Sequence, residues 1–337
     1  MPLLSKLTEK LLIVDASKIN SIDSIGAWTL QNYLRQFRQR GIEIRLQGWT
    51  QSTEQLMLQI EQQQAVPLLT KAATPFITQL GMNAETIWKS SVALLSFIGQ
   101  VAIAFGSNIT LRSRWRWPII LNNIQTAGVD ALAIIGIASF LLGIVVAYQG
   151  VDQLRHYGAN IFVVDLIGYA MLREFSPLIT AVIIAGRSSS AYAAQIGTMK
   201  IMEELDGMRT LGIDPINMLV LPKLVALILV LPLLTVFSDI TSVAGAMIMA
   251  RSQLEIGFHE FLTRFSTVIH PTSLLIGVGK AVIFAIVITV LGCFQGFCTK
   301  DDADSVGQQT TRSVVQAIFI VIALDAVFSV VFSLLGM

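Results

Sequence analysis

The chain has 337 residues, of which 54% are hydrophobic and only 13% carry a charged side chain. Soluble domains carry about 25% charged residues, so this composition indicates a membrane protein. The formal net charge of +1 gives no reason to expect nucleic-acid binding, because protein surfaces that bind nucleic acids are usually basic. The two cysteines and three histidines show no spacing typical of a disulfide framework or a metal site, so we predict neither metal nor cofactor.

The first 64 residues are polar enough to form a small soluble domain. Leu11–Val14 is a short apolar run suited to a buried strand, and residues 24–40 are predicted to form a helix. Ile42–Leu46 alternates apolar and charged residues, which indicates a half-buried strand, and residues 53–62 are predicted to form a second helix. The order strand, helix, strand, helix predicts an α/β unit for residues 1–64.

Part of this domain, VDASKINSIDSIGAW at residues 14–28, resembles the STAS domain, the anti-sigma-factor-antagonist fold. The resemblance implies that Ser24, between Asp23 and Gly26, is a phosphoacceptor. The alternative is that Ser24 caps the helix that follows it. A complete STAS fold has a further strand pair that does not fit before Leu11. We therefore expect either a reduced domain or a start of the native chain upstream of Met1.

Beyond a linker at 65–83, residues 84–337 are predicted to lie in or on a membrane. Lysine, serine and glutamine residues interrupt the apolar segment 84–108, which predicts an interfacial helix along the cytoplasmic membrane surface. Five later segments reach the roughly 20 mostly apolar residues that a span requires, namely 126–148, 162–184, 218–249, 274–297 and 313–335. The predicted fold is a mostly α-helical polytopic membrane protein with one interfacial and five transmembrane helices, preceded by the α/β domain.

Basic residues predict the orientation of these spans. Arg112, Arg114 and Arg116 alternate with tryptophans before the first span, which is typical of a cytoplasmic membrane boundary. The loops at 187–217 and 298–312 also carry several lysines and arginines. We therefore predict a cytoplasmic N-terminus and a periplasmic C-terminus.

A short amphipathic helix is predicted between the second and third spans. Ile201, Leu205, Met208 and Leu211 follow helical spacing and share one face. Thr198 is predicted to cap this helix and Gly212 to end it in the left-handed conformation. The other faces carry four charged residues, Glu203, Glu204, Asp206 and Arg209. An ordinary loop helix is the alternative interpretation.

The sequence EFSPLITAVIIAGRSSSAYAAQIGTMKIMEELDGMRTLGIDPINMLVLPK, residues 174–223, resembles the signature region of the MlaE-type permeases. These are membrane subunits of ABC transporters that work with MCE proteins in lipid transport, and the resemblance extends from about residue 119 to the C-terminus. It implies a homodimer, a separate ABC ATPase, a periplasmic MCE-domain partner and a location in the bacterial inner membrane. The implied cargo is phospholipid or a similar amphiphile, moved between the inner and outer membranes of a Gram-negative envelope.

The resemblance also implies roles for individual residues. Residues 201–211 would be the coupling helix that docks on the ATPase. Its charged residues Glu203, Glu204, Asp206 and Arg209 would contact the ATPase, while Leu205 and Met208 would anchor the helix to its own subunit.

Several charged residues lie inside or beside the apolar segments, where ions are costly unless they face protein or water. Arg173, Glu174 and Lys280 match polar sites near the lipid pathway of the resembled family, and Asp325 is a weaker candidate for the same pathway. The alternative is that these charges only hold helices together, with Glu174 and Lys280 as a structural ion pair. Asp130, Asp165, Lys223 and Asp239 are further ionisable residues near or within the spans.

No catalytic motif is present in the sequence. The chain has no GxxxxGK[ST], no HExxH and no GxSxG sequence, so it cannot bind ATP in the P-loop manner. We predict a non-catalytic transport subunit whose energy comes from a partner. A STAS-containing secondary anion transporter is the alternative, although STAS follows many more spans in those proteins. An intramembrane enzyme is a further alternative that the missing catalytic residues disfavour.

Overall fold

The computed structural model describes residues 11–17, 19, 22–39, 41–62, 76–110, 116–155, 162–254, 256–300 and 302–335. The chain divides into two compact units, Met1–Glu85 and Thr86–Met337.

The first unit contains the predicted strand, helix, strand, helix order. Its elements are β1 (Leu11–Asp15), α1 (Ser24–Gln39), β2 (Glu43–Gln47) and α2 (Gln51–Gln62). The two strands are parallel, and Leu11 pairs with Glu43. Parallel strands need a crossover connection, which α1 provides. The small core of this unit comprises Ala27, Leu34 and Met57 with flanking part-buried apolar residues.

Asp23, rather than Ser24, caps α1. The backbone N–H of Gly26 donates to Asp23 Oδ1 at 2.8 Å, and that of Ala27 donates to the Asp23 carbonyl at 2.9 Å. Ser24 is the first helical residue and is exposed. The prediction that Ser24 caps the helix is therefore wrong by one position, because the preceding carboxylate reaches the same backbone donors. Its role as a phosphoacceptor stays a prediction.

All the regular elements of the second unit that the structure describes are helices. Its longer elements are α3 (Phe76–Thr110, which begins in the first unit), α4 (Trp117–Ala127), α5 (Leu132–Arg155), α6 (Phe162–Ala170), α7 (Ser176–Ile184), α8 (Ser190–Ile201), α9 (Glu204–Thr210), α10 (Leu221–Leu254), α11 (Phe258–Val268), α12 (Pro271–Phe297) and α13 (Ala303–Leu334). Three π-helical turns, Met171–Phe175, Ala185–Ser189 and Ile216–Val220, join α6 to α7, join α7 to α8 and lead into α10.

Six helical stretches of the described residues are long and apolar enough to cross a membrane. They are Ile77–Asn108, Trp117–Leu154, Phe162–Ile201, Ile216–Leu254, Pro271–Phe297 and Ala303–Leu334. The chain is therefore a polytopic helical membrane protein, as predicted. The last five stretches cover the five predicted spans except for residue 335, and they extend most of them, because helices continue beyond the apolar part of a span.

The helix predicted at 84–108 is longer than its apolar pattern indicated. It lies within α3, which begins at Phe76, so residues 76–83 of the predicted linker are helical. The structure also adds this helix to the candidate spans, whereas the sequence predicted an interfacial position. Phe97, Val101 and Ala104 are buried in a cluster with residues of α8, α10 and α12, so one face of the helix packs on the membrane bundle.

Glycines bring α5 and α10 into backbone contact. A Cβ atom on Gly143 would collide with the carbonyl of Ser242, and one on Gly245 would collide with the carbonyl of Phe140. Small residues allow transmembrane helices to approach closely in this way. The small residues after Ile184 likewise pack inside the chain, where Ser189 contacts Gly292.

Candidate functional site

Four charged residues predicted for the lipid pathway meet inside the helical bundle. Lys280 Nζ on α12 lies 2.7 Å from Glu174 Oε2 and 3.1 Å from Asp325 Oδ1 on α13. It also donates to the backbone carbonyl of Arg173 at 3.1 Å. Arg173 Nε lies 3.7 Å from Glu174 Oε1. We call these residues the four-charge network.

The local backbone explains how these side chains reach each other. Arg173 and Glu174 lie on the π-helical turn Met171–Phe175, and such turns are frequent at functional sites. Gly277 lies three residues before Lys280 on α12. There α12 passes so close to the π-helical turn that a Cβ atom on Gly277 would collide with the Leu172 carbonyl. The missing side chain at Gly277 therefore lets Lys280 reach the Arg173 carbonyl and the Glu174 carboxylate.

The network is partly buried and its charges balance. The Lys280 side chain is fully buried, whereas those of Arg173 and Glu174 remain 19% and 30% exposed. An ammonium group has three N–H donors, and Lys280 has three acceptors within 3.1 Å. Arg173 differs, because its contact with Glu174 is longer than a hydrogen bond. Its guanidinium group therefore retains donor capacity at the exposed side of the network.

A cavity of about 590 Å³ lies against this network, between α12 and α13. Its volume is typical of small-molecule sites, which usually occupy roughly 300–1,000 Å³. Lys280 is the charged residue in its wall, and the other lining residues are apolar or small: Thr272, Leu275, Ile276, Gly279, Ile283, Phe328 and Phe332. The arrangement places an apolar cleft next to balanced charges.

The predicted amphipathic helix between the second and third spans is present but shorter. α8 ends at Ile201, Glu203 adopts a left-handed conformation with φ of 59°, and α9 then runs from Glu204 to Thr210. Thr198 lies inside α8 and does not cap a new helix. Gly212 has a φ of 73°, which confirms the predicted left-handed stop.

The side chains of α9 divide into a buried face and a charged face. Leu205 is buried and Met208 is half-buried, both against the cluster that includes Phe97. Leu211 was predicted on this buried face but is 78% exposed, because α9 ends at Thr210 and the chain turns away. The exposed charged residues are Glu203, Glu204, Asp206 and Arg209, and Arg209 Nη1 lies 2.8 Å from Asp206 Oδ1. We call residues 201–212 the α9 segment.

Two contacts near these sites lie between residues that are distant in sequence. The guanidinium group of Arg264 on α11 binds the carboxylate of Asp165, with Nε 2.8 Å from Oδ1. Hydrogen bonding to Asp165 raises the pKa of Arg264 above its ordinary value. Behind the α9 segment, Asn108 Nδ2 donates to Asn217 Oδ1 at 2.6 Å and ties α3 to the start of the third span. Sequence reasoning missed both contacts, because each joins residues about 100 positions apart.

Comparisons with known proteins agree with these features. The family model described as Permease MlaE matches residues 120–331. A probable ABC transporter permease protein of Rickettsia bellii is 27% identical over 241 residues, which are 71% of this chain and 93% of the relative. One from Synechocystis sp. is 33% identical over 198 residues, 59% of this chain and 75% of the relative. The intermembrane phospholipid transport system permease protein MlaE of Haemophilus influenzae is 28% identical over 219 residues, 65% of this chain and 84% of the relative.

Proposed function

Because this chain belongs to the MlaE family of permeases, we propose that it is the membrane subunit of an ABC transporter for phospholipid or a similar amphiphile. It lies in the inner membrane of a Gram-negative bacterium and moves its cargo between the inner and outer membranes. A separate ATPase hydrolyses the ATP. Support comes from the Haemophilus influenzae relative, whose name states intermembrane phospholipid transport. The alternative of a secondary anion transporter is not favoured, because the relatives are ABC transporter permeases.

The observation that carries this proposal is the four-charge network beside an apolar cavity. A phospholipid joins a charged headgroup to apolar chains, so its site requires both kinds of surface. Arg173 retains donors that can hold a phosphate by charge-assisted hydrogen bonds. Glu174, 3.7 Å from Arg173 and 2.7 Å from Lys280, competes with the phosphate for these cations and thereby assists release. The cavity along α12 and α13 accommodates acyl chain.

The α9 segment links this site to the ATPase in the proposed mechanism. Its exposed charged face docks on the ATPase, while Leu205 and Met208 hold it to the bundle. From Ile201, one helical path leads back through α8, α7 and two π-helical turns to Glu174. At 1.5 Å per residue this path is about 40 Å long. Movement of the segment at the ATPase is thereby transmitted along the helix to the network.

The remaining assignments follow the family resemblance. Two copies of the chain form a homodimer that binds two ATPases and a periplasmic MCE-domain protein. With α3 in the membrane interface rather than across the membrane, the N-terminus is cytoplasmic and the C-terminus is periplasmic. The basic residues that flank the first span support this orientation.

Purification of the tagged full chain from its native host tests the proposal. We expect an ABC ATPase to copurify, and lipid mass spectrometry to find phospholipid in amounts comparable to the permease. A matched variant, Arg173→Gln, should keep the ATPase but lose most of the bound phospholipid. Recovery of the folded protein with neither ATPase nor phospholipid would contradict the proposal.

A further inference from the structure

Asp239 is a buried acid that belongs neither to the four-charge network nor to the α9 segment. It lies in the middle of α10 and is only 4% exposed. Neither of its carboxylate oxygens has a hydrogen-bond partner among the residues that the structure describes. Its neighbour Ser242 donates at 3.0 Å to the backbone carbonyl of Asp239 and not to the carboxylate. The mechanism proposed above does not use this group.

Two pairs of serine hydroxyls join α10 to α5 and to α7 within one turn of Asp239 along α10. The hydroxyls of Ser139 and Ser238 lie 2.6 Å apart, and those of Ser176 and Ser242 lie 3.4 Å apart. All four serines are buried. The hydroxyl of Ser242 bonds to the backbone of Asp239 and faces that of Ser176, which brings Ser176 of α7 close to Asp239. The surroundings of Asp239 are thus polar but uncharged.

No cation compensates Asp239 in the described part of the chain. Residues 132–147 of α5 and all residues of α4 and α7 lack ionisable side chains. Lys280 is the charged residue of α12, and Lys223 and Arg251 are three or more turns away along α10. Among the side chains that the structure describes, the lysines and arginines on elements that pack against α10 have other partners: Arg173 with Glu174, Lys280 with Glu174 and Asp325, Arg264 with Asp165, Lys223 with the ring of Tyr192, and Arg251 with the ring of Phe258.

An ionised carboxylate in these surroundings would be very unfavourable. Transfer of an unpaired charge to an apolar interior costs many kcal/mol, and such groups become neutral instead. A protonated carboxyl gains one O–H donor, for which the serine oxygens are acceptors. We propose that Asp239, with Ser176 and Ser242, forms an exchangeable proton-binding site that is occupied when the helices pack as they do here.

The two sides of this site differ in freedom to move. On one side Gly143 and Gly245 hold the backbones of α5 and α10 in contact, so this side stays closed. On the other side Ser176 directly follows the π-helical turn that carries Arg173 and Glu174. Displacement of that turn moves Ser176 away from Asp239 and admits water. The carboxyl O–H bond then breaks, the electron pair stays on the carboxylate, and the proton passes to a water molecule.

This exchange links the proton site to the lipid site, and the link rests on the function proposed above. Lipid at Arg173 shifts the turn and lowers the affinity of Asp239 for its proton. By linkage, protonation of Asp239 must weaken lipid binding by the same factor. The proton therefore favours the packed state in which the four-charge network is closed.

Infrared difference spectroscopy tests the site without any transport assay. The full-length chain in lipid nanodiscs is compared with Asp239→Asn, which resembles the protonated acid in shape and hydrogen bonding. We expect a carbonyl-stretch band of a carboxylic acid near neutral pH in the wild type and its absence in the variant. The matched control is Asp165→Asn, which removes an ion-paired carboxylate and should leave the acid band unchanged. A wild-type spectrum without the Asp239 acid band would overturn the proposal.

Proton release tests the link to lipid. Phosphatidylglycerol is added to the chain in weakly buffered detergent with a pH indicator, and bound lipid is measured in the same sample. We expect release of about one proton per chain, since a carboxyl group holds one proton, and none from Asp239→Asn. Equal release from both proteins overturns exchange at Asp239. Absence of bound lipid would instead contradict the proposed function, while the infrared result would still decide the proton site.

Discussion

The four-charge network and the α9 segment contain the same kinds of residues in opposite surroundings. In the network, the fully buried ammonium of Lys280 has three acceptors within 3.1 Å. In the α9 segment, Arg209 and Asp206 lie 2.8 Å apart with side chains 61% and 70% exposed. Water solvates Arg209 and Asp206 whether or not they pair, whereas only protein groups solvate the ammonium of Lys280. Ion pairs with similar N–O distances therefore contribute differently to the free energy of unfolding in the two regions.

Removal of Lys280 should produce the largest effect on stability. Lys280→Met keeps the apolar stem but leaves Glu174 and Asp325 without their shared cation. Loss of one partner of a buried ion pair typically costs about 3–5 kcal/mol, so we expect a marked fall in the midpoint of thermal unfolding in detergent. The matched control is Arg209→Met, for which the expected change is within about 0.5 kcal/mol. Equal effects of the two variants would contradict the contrast between buried and exposed pairs.

Exchange of the charges sharpens the same comparison. The double variant Glu174→Lys with Lys280→Glu retains one cation and one anion at this contact. Repulsion of the new lysine by Arg173 and of the new glutamate by Asp325 should make it less stable than wild type. The double variant should nevertheless be more stable than the single variant Glu174→Lys. The midpoints of thermal unfolding of the two variants in detergent are compared.

The transport rate of this double variant separates the two roles considered for the network. A lipid site should lose transport, because its arrangement of charge is inverted. If the double variant transports phospholipid as fast as wild type, the network only holds helices together. Phospholipid movement between liposomes with the ATPase present is the measurement.

The sequence predicted which residues form the network and, as one alternative, the pair of Glu174 with Lys280. Charges inside apolar segments are costly, and among the eight that this cost pointed to, the family resemblance singled out Arg173, Glu174 and Lys280, with Asp325 as a weaker candidate. Their contacts depend on a π-helical turn and on the close approach of α12 at Gly277. Neither feature has a periodic signature, so the second contact of Lys280, with Asp325 45 positions away, was not predicted.

Other errors arose where the backbone departs from helical periodicity. Helical spacing placed Leu205 and Met208 correctly, but it placed Leu211 on the buried face beyond the actual end of α9. The predicted cap of α1, Ser24, lies one residue after the actual cap, Asp23. Errors of one residue are common at helix ends. In α3, the helix was predicted at residues 84–108, but it has 35 residues and begins at Phe76. The apolar pattern did not mark this earlier start.

In the N-terminal unit, the exposed carboxylate of Asp23 caps helix α1. Asp23→Ala removes the acceptor for the Gly26 N–H, and loss of a helix cap costs about 1 kcal/mol. We expect Ser24→Ala to change stability by much less, because Ser24 follows the cap. Urea unfolding of the full chain in detergent, followed by the fluorescence of Trp28 with the other four tryptophans replaced by Phe, measures both. A larger loss in Ser24→Ala would show that Ser24, and not Asp23, holds the start of α1.

The charged face of the α9 segment should show the smallest effect on stability. Glu204 and Asp206 are exposed, and only the contact of Asp206 with Arg209 is lost in the double variant Glu204→Lys with Asp206→Lys. Surface substitutions of this kind usually change stability by no more than about 0.5 kcal/mol. The unfolding midpoint should therefore match that of wild type within this range. Binding to the ATPase should weaken strongly, because reversed charges at an interface oppose the complementary partner.

A matched variant on the buried face separates docking from folding. Leu205→Ala leaves every charge of the segment in place but removes a buried side chain from the cluster around Phe97. This truncation should lower the free energy of unfolding by about 2–5 kcal/mol. It should weaken ATPase binding only to the extent that α9 detaches from the bundle. Copurification of the ATPase and the unfolding midpoint are measured for both variants. If the lysine variant kept full ATPase binding and transport, the α9 segment would not be the coupling element.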